Sequence, residues 1–229
     1  MLTKRLRTIA ELIDSCNVVA DIGTDHAYLP ITLVKEKRTK FAYAVDVNDE
    51  PLGWAKKNIN MYNCNNQIQT ILSDGLDFVL EEQIQFIDVV TICGLGSTTI
   101  LDIVKKDNNK IGKYIICSNT EISNIREWVF EKQYSISFED FIIDSKKGYW
   151  VIVIEKNKTN LITKNDISFG NKKYFINNDE VIKYYDNEIK KFEKILSKID
   201  VEKHYNSHEE ITNKIIEIRG YLNEINKID

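Results

Sequence analysis

The chain has 229 residues, of which 43% are hydrophobic and 29% are charged, and its formal net charge is -4. This composition is typical of a globular protein with one full core and a small appendage, and the negative charge argues weakly against a nucleic-acid partner unless a local basic face is present. No apolar run reaches the roughly 20 residues of a bilayer span, the first residues do not resemble a signal peptide, and the four cysteines form no CxxC pair.

These features exclude a membrane-spanning protein and a disulfide-stabilised secreted one, so we expect a cytoplasmic protein with no membrane partner.

The first two thirds of the chain alternate β-type and helical patterns. Strands are predicted at 17–21, 41–46, 69–73, 87–92 and 114–117, and helices near 27–36, 50–61, 75–82, 97–106 and 122–132. This alternation predicts right-handed βαβ crossovers and a mostly parallel sheet with helices on both faces.

Two further β-type runs follow, at 135–144 and 148–156, and Ser145-Lys-Lys-Gly148 between them is a hairpin signal. A dinucleotide-binding dehydrogenase would instead continue with parallel strands. Five parallel strands followed by a terminal hairpin therefore predict an α/β fold, the Rossmann-like sheet of class I methyltransferases.

The last part of the chain has a different pattern, after an Asn- and Lys-rich stretch at 157–177 that we interpret as a linker. Apolar residues recur there at alternating spacings of three and four, at Ile182, Tyr185, Ile189, Phe192, Leu196 and Ile199, and again at Ile211, Ile215, Ile218, Leu222 and Ile225. This spacing predicts an antiparallel coiled-coil hairpin, with Asn206-Ser207 as the cap of its second helix.

The domain prediction is therefore a Rossmann-like domain at 1–158 and a helical hairpin at 176–229. The hairpin pattern fits equally a segment that covers a core or dimerises, and a substrate-binding arm. Heptads also pack within one chain or between two, and we expect a monomer.

The strongest functional pattern is Asp21-Ile-Gly-Thr-Asp-His-Ala-Tyr-Leu-Pro30, which follows the first strand and opens a helix. Gly23 allows a tight turn and a close approach of a ligand to the backbone. The G-x-G-x-x-G loop that seats a pyrophosphate is incomplete, because Asp25 and Tyr28 stand at two of its positions. An acidic residue here suits a zwitterionic sulfonium better than a diphosphate, which favours S-adenosyl-L-methionine over NAD. The alternative is an ordinary strand-to-helix turn.

Two further acids follow the next two strands. Asp46 stands where nucleotide-binding domains place an acid for the ribose hydroxyls, and Asp74 could accept from the adenine amino group. Each alone could also be a solvated strand end or a common turn. Because the carboxyl ends of parallel strands meet at one edge, we expect Asp21, Asp46 and Asp74 to surround one ligand. The neighbours included in this predicted cofactor site are Val47, Gly75 and Leu76.

A second glycine turn, Cys93-Gly-Leu-Gly-Ser97, follows the fourth strand. Gly94 and Gly96 would let substrate and methyl donor approach the backbone, although a tight turn packed against a helix is the alternative. The Asp/Asn-Pro-Pro-aromatic motif of many amino-group methyltransferases is missing here, which disfavours methylation of an exocyclic amine.

Two smaller patterns concern basic residues. Lys4, Arg5 and Arg7 open an N-terminal helix, and they predict a contact with phosphate or with the cofactor carboxylate, unless they form a solvated face. His204 and His208 have a metal-compatible spacing, but no carboxylate motif accompanies them, so we predict no metal site.

At these residues the sequence resembles the bacterial TrmK family, tRNA (adenine-N1)-methyltransferases that act on adenine 22. The resemblance rests on Lys4-Arg5-Leu6, Asp21–Pro30, Ser73-Asp-Gly-Leu76, Gly94-Leu-Gly96 and Ile125-Arg-Glu-Trp128. The layout of a Rossmann-like domain followed by a coiled-coil hairpin is also similar, so the resemblance spans nearly the whole chain. It implies tRNA as the substrate partner, docked with help from the coiled coil, and S-adenosyl-L-methionine bound near Asp21, Gly23, Asp46, Asp74 and Gly94.

Methylation of adenine N1 needs alignment and desolvation more than a strong base, because the nitrogen has a free lone pair once the base is unstacked. We predict Asp25 and Asn119 in the base pocket, where they would stabilise the developing charge. His26 would orient the base or accept a proton, or else fix the loop, and Asp25 and His26 also belong to the predicted cofactor site. Tyr28 would stack on the base or pack its helix. Where the family usually has Gln-Pro-Asn, this chain has Cys117-Ser118-Asn119.

Two other functions fit parts of the pattern. One is a small-molecule methyltransferase, which would have a closed lid over the site. The other is a nucleotide-binding domain whose coiled coil is an interaction module, and the incomplete phosphate loop weighs against it.

Overall fold

The computed structural model describes residues 2–156, 162–201 and 204–226. Contacts between Cα atoms divide the chain into two compact units, residues 1–168 and 169–229. Over the described ranges, none of the helices has the length and apolar character needed to span a bilayer.

The first unit is built on one mixed sheet. Its strands within the described residues are β1 (Cys16–Ile22), β2 (Thr39–Asp46), β3 (Ile68–Leu72), β4 (Ile87–Leu95), β5 (Ile111–Ser118), β6 (Ser135–Asp144) and β7 (Lys147–Glu155). They lie in the order β3-β2-β1-β4-β5-β7-β6. Strands β1 to β5 are parallel, and β7 is antiparallel to both of its neighbours. This topology confirms the class I methyltransferase sheet that the sequence predicts.

Helices connect the parallel strands, as the alternating pattern predicts. They are α1 (Lys4–Glu11), α2 (Tyr28–Lys35), α3 (Asp49–Met61), α4 (Ser97–Val104) and α5 (Ser123–Glu131). The helix predicted at 75–82 is wrong, because only a single 3-10 turn forms, at Asp77–Leu80. The Ser73 hydroxyl accepts the N–H of Phe78 at 3.1 Å, and Phe78 and Val79 are already buried within that one turn.

Apolar side chains from the helices and the sheet form two core clusters. The larger cluster joins Ile9 of α1 and Leu33 of α2 to Val89, Ile115 and Val151 of the sheet. The smaller one joins α2 and α3 to β2. Burial of this apolar surface is the main stabilising contribution, at about 25 cal/mol per Å².

The terminal hairpin turns through two residues, Ser145 and Lys146, between the paired residues Asp144 and Lys147. Both turn residues have positive φ angles, 51° and 69°. Two central residues with positive φ are the mark of the type I′ turn, which matches the right-handed twist of the strands. The hairpin is therefore as predicted, with β7 beginning one residue earlier.

Arg126, part of the motif that resembles the TrmK family, is fully buried. Its Nε donates to Oε1 of Glu139 at 2.7 Å, and its Nη1 lies 3.4 Å from both the Glu121 carboxylate and the Ile167 carbonyl oxygen. A buried charge needs such partners to offset its desolvation. Arg126 therefore joins α5 to β6 and to the chain beyond β7.

The second unit consists mainly of two long helices, α7 (Asp179–Leu196) and α8 (Tyr205–Ile225). A short helix, α6 (Asp166–Phe169), and a 3-10 turn at Lys172–Tyr174 precede them. The backbone N–H of Asn177 donates to the carbonyl of Ile225 at 2.9 Å, and Arg219 pairs with Glu193 at 2.7 Å. The contact between Asn177 and Ile225 joins the start of α7 to the end of α8, so the helices are antiparallel.

The heptad pattern locates the buried face of this hairpin with some errors. Tyr185, Ile189, Ile215, Ile218 and Ile225 are buried as predicted, but Val181 and Tyr221 are buried too. Ile199 lies beyond the end of α7. The predicted cap at Asn206-Ser207 is wrong, because the N–H of His208 already donates to the carbonyl of His204 and α8 begins at Tyr205. Residues 157–161 of the predicted linker lie outside the described residues.

Candidate active site

A cavity of about 430 Å³ opens where β1, β2 and β3 end, at the carboxyl edge of the sheet. Its volume lies in the range of small-molecule sites. Of the predicted cofactor residues, those that line it are Gly23, Asp46, Val47, Asp74 and Gly75. The carboxyl-edge rule for open α/β sheets therefore brings residues from three separate loops together.

Two glycines shape the wall of this cavity. Gly23 has a φ of 75°, and its N–H donates to the carbonyl of Val45 at 2.9 Å, so the loop after β1 turns against the end of β2. Gly75 has a φ of 60°, and a Cβ atom there would lie 3.2 Å from Cγ1 of Ile103. Both positions favour glycine, because other residues adopt positive φ reluctantly and a side chain at 75 would be crowded.

Asp46 presents a carboxylate to the cavity from the last position of β2. Its Oδ1 accepts the backbone N–H of Asn48 at 2.9 Å, which fixes the side chain. Its Oδ2 has no hydrogen-bond donor among the described residues, so one acceptor oxygen is left for a ligand hydroxyl.

One face of α4 and its C-terminal extension completes the cavity, and the sequence analysis missed it. Thr99, Asp102, Ile103 and Lys106 line the cavity at spacings of three, one and three, the repeat of a helix face. Nζ of Lys106 lies 2.9 Å from carboxylate oxygens of both Asp74 and Asp77. The hydrogen bond to Asp74 is the main cause that raises the pKa of Lys106. The Asp74 carboxylate is therefore held by a lysine rather than free.

A second group of predicted residues meets at the glycine turn at the end of β4. Gly94 has a φ of 86°, and a Cβ atom there would lie 3.1 Å from Nη1 of Arg5. The Arg5 guanidinium lies 4.7 Å from the ring centroid of Tyr149, and its buried Nε has no hydrogen-bond partner among the described residues. Nδ2 of Asn119 donates to the Gly94 carbonyl at 3.3 Å. This turn therefore combines an unsatisfied cationic donor with an amide side chain.

Asp21 is buried and does not line the cavity, although its neighbour Gly23 does. The Thr91 hydroxyl donates to Oδ1 of Asp21 at 2.7 Å. Burial raises the pKa of Asp21 to about 6, and the Asp46 carboxylate adds to the rise. Of the three acids expected around one ligand, the structure brings Asp46 and Asp74 into the cavity and places Asp21 in the interior.

Asp25 and His26 lie together on the loop between β1 and α2. Nε2 of His26 is 3.3 Å from Oδ2 of Asp25, and the imidazole ring is 5.4 Å from the Tyr28 ring. Nδ2 of Asn58 donates to the His26 carbonyl at 3.0 Å, which anchors the loop to α3. Neither side chain lines the cavity, and Asn119 lies on a different turn.

The remaining predicted positions are less informative. Leu76 is buried and does not line the cavity. Within the ranges that the structure describes, no three His, Cys, Asp or Glu side chains are grouped as a metal site.

Similarity to known proteins identifies the family to which this chain belongs. A family model described as "Methyltransferase domain" matches residues 2–152. The structure of M. capricolum TrmK in complex with S-adenosyl-homocysteine is 47% identical, covers 99% of this chain and 100% of that chain, and has a TM-score of 0.96. The chain belongs to the TrmK family.

Two more distant relatives are also TrmK-like. The tRNA (adenine(22)-N(1))-methyltransferase of Bacillus subtilis is 34% identical over 157 residues, which are 67% of this chain and 65% of that protein. A putative tRNA (m1A22) methyltransferase of Streptococcus pneumoniae, in complex with S-adenosyl-L-methionine, is 27% identical with a TM-score of 0.84, and the match covers 97% of this chain and all of that chain. Solved TrmK-like structures thus match both units of the chain, whereas the alignment with the Bacillus subtilis protein spans about two thirds of that relative.

Proposed function

We propose that the protein methylates N1 of adenine 22 in tRNA, with S-adenosyl-L-methionine as the methyl donor. The observation that carries the proposal is the cavity at the carboxyl edge, lined by Asp46, Asp74 and Gly23. The support from relatives is that one TrmK structure holds S-adenosyl-homocysteine and one TrmK-like structure holds S-adenosyl-L-methionine.

The residues present fit this cofactor. The second oxygen of Asp46 can accept a hydrogen bond from a ribose hydroxyl at the position where nucleotide-binding folds use an acid. Asp74, held by Lys106, can accept from the adenine amino group. The buried Nε of Arg5 lacks a partner among the described residues, and a carboxylate is the partner that a guanidinium prefers.

When bound, S-adenosyl-L-methionine supplies a methyl group activated by a positively charged sulfur. At the glycine turn, the missing side chain of Gly94 leaves room for the Arg5 guanidinium, and that of Gly96 leaves the backbone open beside Asn119. Asn119 borders that turn, with its Oδ1 atom 3.7 Å from where a Cβ atom of Gly96 would lie. We assign Asn119 to the orientation of the adenine.

We assign Asp25 and His26 to the base side of the site. The 3.3 Å contact between them orients the imidazole, and the carboxylate can stabilise the positive charge that develops on a base methylated at N1. No strong base is needed, because N1 carries no proton before the reaction. The rate therefore depends on alignment and on exclusion of water.

The partner and the location follow from this function. The substrate is tRNA, docked with help from the helical hairpin α7–α8, and the protein acts in the cytoplasm as a monomer. The exposed Lys190, Lys191 and Lys194 form a local group of positive charges on α7 that is available for phosphate contacts.

The experiment is to incubate the purified protein with methyl-labelled S-adenosyl-L-methionine and unmodified tRNA, and then to analyse the nucleosides. The expected product is 1-methyladenosine, and a transcript with guanine at position 22 should remain unlabelled. Label in another nucleoside, or equal labelling of the guanine-22 transcript, would contradict the proposed target.

A further inference from the structure

A group of exposed ring side chains lies beside the proposed active site. We define the ring cluster as His26, Tyr28, Trp54 and Lys57. The His26 ring is 5.4 Å from the Tyr28 ring and 6.3 Å from the Trp54 ring. Nζ of Lys57 lies 4.4 Å from the centroid of the Trp54 ring. The cluster therefore brings three rings and an ammonium group together at the surface.

Trp54 does not contribute to the hydrophobic core. Helix α3 buries Leu52, Ala55 and Ile59, whereas the side chain of Trp54 is 47% exposed. The other two tryptophans of the chain, Trp128 and Trp150, are only 4% and 1% exposed. Trp54 is distinguished by its company, because two further rings and the Lys57 ammonium lie beside it, and such a group can stack on a nucleotide base.

The cluster adjoins the cavity through the start of α3. Val47 and Asn48, which line the cavity, directly precede this helix. The hydrogen bond from Asn58 to the His26 carbonyl holds the loop that carries His26 and Tyr28 against α3. The ring cluster and part of the cavity wall are therefore carried by the same helix start and the same loop.

We infer that the ring cluster is a stacking platform for an unpaired nucleotide of tRNA next to the target adenine. The inference rests on the proposed function and names the surface that the substrate uses. Exposed rings accept stacked bases of any sequence, and a lysine beside the ring supplies a charge for the phosphate of the same nucleotide. An adenine that leaves its stack exposes its neighbour, and Trp54 replaces that lost stacking partner.

Charge favours RNA over a protein as the occupant. The Lys57 ammonium lies against the Trp54 ring, and the next residue back, Lys56, is also exposed. The apolar part of the cluster is also small for a protein interface, because it consists of separate rings rather than a continuous patch.

The first test uses the quenching of tryptophan fluorescence by a stacked base, which can contact Trp54 but not the buried Trp128 and Trp150. Titration of the protein with unmodified tRNA should quench the emission, and Trp54→Phe should abolish the quenching while it leaves the tRNA affinity within about twofold of wild type. Binding of tRNA without any quenching of Trp54 would overturn the inference.

The second test uses kinetics. Trp54→Ala should raise the KM for tRNA about tenfold, with the KM for S-adenosyl-L-methionine unchanged, and Trp54→Phe should restore the KM. Lys57→Met should lower the salt slope of tRNA binding by about one phosphate contact. The matched control is Phe86→Ala, because Phe86 is 53% exposed but lies at the opposite edge of the sheet, just before β4.

The outcomes separate this inference from the proposed function. A wild-type protein that methylates tRNA, with an unchanged KM in Trp54→Ala, overturns the platform alone. If the tryptophan emission of the wild-type protein is quenched on binding of tRNA but no 1-methyladenosine forms, the result contradicts the proposed reaction and supports the platform. A dimer that only Trp54→Ala disrupts would show that a second copy covers the cluster, which also overturns the inference.

Discussion

The two edges of the sheet differ in whether the hydrogen bonds of their polar side chains are satisfied within the protein. At the amino edge, Asp107 accepts hydrogen bonds from the hydroxyls of Tyr114 at 2.5 Å and Tyr134 at 2.6 Å, and from Nζ of Lys156 at 2.8 Å. Its side chain is only 7% exposed. At the carboxyl edge, Arg5 keeps a buried donor and Asp46 an acceptor oxygen that nothing in the described residues satisfies.

This difference separates polar groups that hold the fold from polar groups that await a ligand. A buried polar group without a partner costs free energy, so most are paired within the protein. The Asp107 network at the amino edge follows that rule. The carboxyl edge departs from it where the proposed cofactor binds, so variants at the two edges should affect different measurements.

The largest expected effect is on stability, at the amino edge. Asp107→Ala should lower the free energy of unfolding by about 3–5 kcal/mol, because it leaves the buried Lys156 ammonium without its carboxylate. Burial raises the pKa values of Tyr114 and Tyr134 far above their usual range, so both hydroxyls remain donors that also lose their acceptor. Urea unfolding measures the loss.

The affinity of the folded Asp107→Ala protein for S-adenosyl-homocysteine should stay unchanged. Tyr134→Phe is the milder companion, with an expected loss of about 1 kcal/mol, because Asp107 keeps its other two donors. A loss below 1 kcal/mol in Asp107→Ala, or a weaker ligand affinity, would break the contrast between the edges.

The converse variant at the carboxyl edge is Asp46→Ala. It should weaken S-adenosyl-homocysteine binding about thirtyfold, or about 2 kcal/mol, because it removes a charged acceptor for the ribose hydroxyls. Its free energy of unfolding should stay within about 0.5 kcal/mol of wild type. Calorimetric titration measures the affinity, and Asp49→Ala, a nearby acid that does not line the cavity, is the control. Equal affinities for both variants would rule out the assigned role of Asp46.

Asp21 tests whether the interior of the carboxyl edge is organised for function rather than stability. Burial raises its pKa from 3.8 to about 6, so its ionised form opposes folding above pH 6 and this cost vanishes below pH 3.8. Asp21→Asn should therefore stabilise the protein by about 1–2 kcal/mol at pH 7.5, because the amide oxygen still accepts from Thr91.

Thermal unfolding across pH 4 to 8 checks this prediction for Asp21→Asn. The gain in stability should shrink as the pH falls through about 6 towards 4, since the wild-type carboxyl then becomes neutral too. Asp21→Asn should also bind S-adenosyl-L-methionine more weakly, because the positively charged sulfur of the ligand then has one carboxylate fewer in its neighbourhood. A variant that is less stable than wild type at pH 7.5 would show that ionised Asp21 supports the fold.

The smallest expected effect is at Lys106. Lys106→Met should weaken S-adenosyl-homocysteine binding roughly three- to fivefold, because exposed ion pairs contribute little and Asp74 keeps its acceptor oxygens. Lys105→Met is the matched control, since Lys105 pairs with Asp102 at 3.6 Å and does not line the cavity. The affinities of the two variants should differ, and equal affinities would show that Lys106 has no specific role in ligand binding.

Local pattern was enough to predict the sheet and much of the cavity. The proximity of strand-end residues such as Gly23, Asp46 and Asp74 could be predicted, because parallel strands have their carboxyl ends at one edge of the sheet. The face of α4 was also within reach, since Thr99 and Lys106 follow helical spacing, but it carries no strand-end motif that would have drawn attention to it.

The contacts that decide the contrast between the edges could not be predicted. Arg5 is far from Gly94 in sequence, and only the packing of α1 brings its guanidinium over that glycine. Asp107 follows a helix in an ordinary polar loop, and its partners Tyr114 and Lys156 come from two other elements. Such networks depend on tertiary placement, for which the sequence carries no local signal.

Amide hydrogen exchange with and without S-adenosyl-homocysteine tests the division between the two edges most directly. We expect the ligand to protect the backbone at 22–23, 46–48 and 73–75 and to leave 107–114 and 134–136 unchanged. Protection at the amino edge, or an unchanged carboxyl edge at saturating ligand, would contradict it.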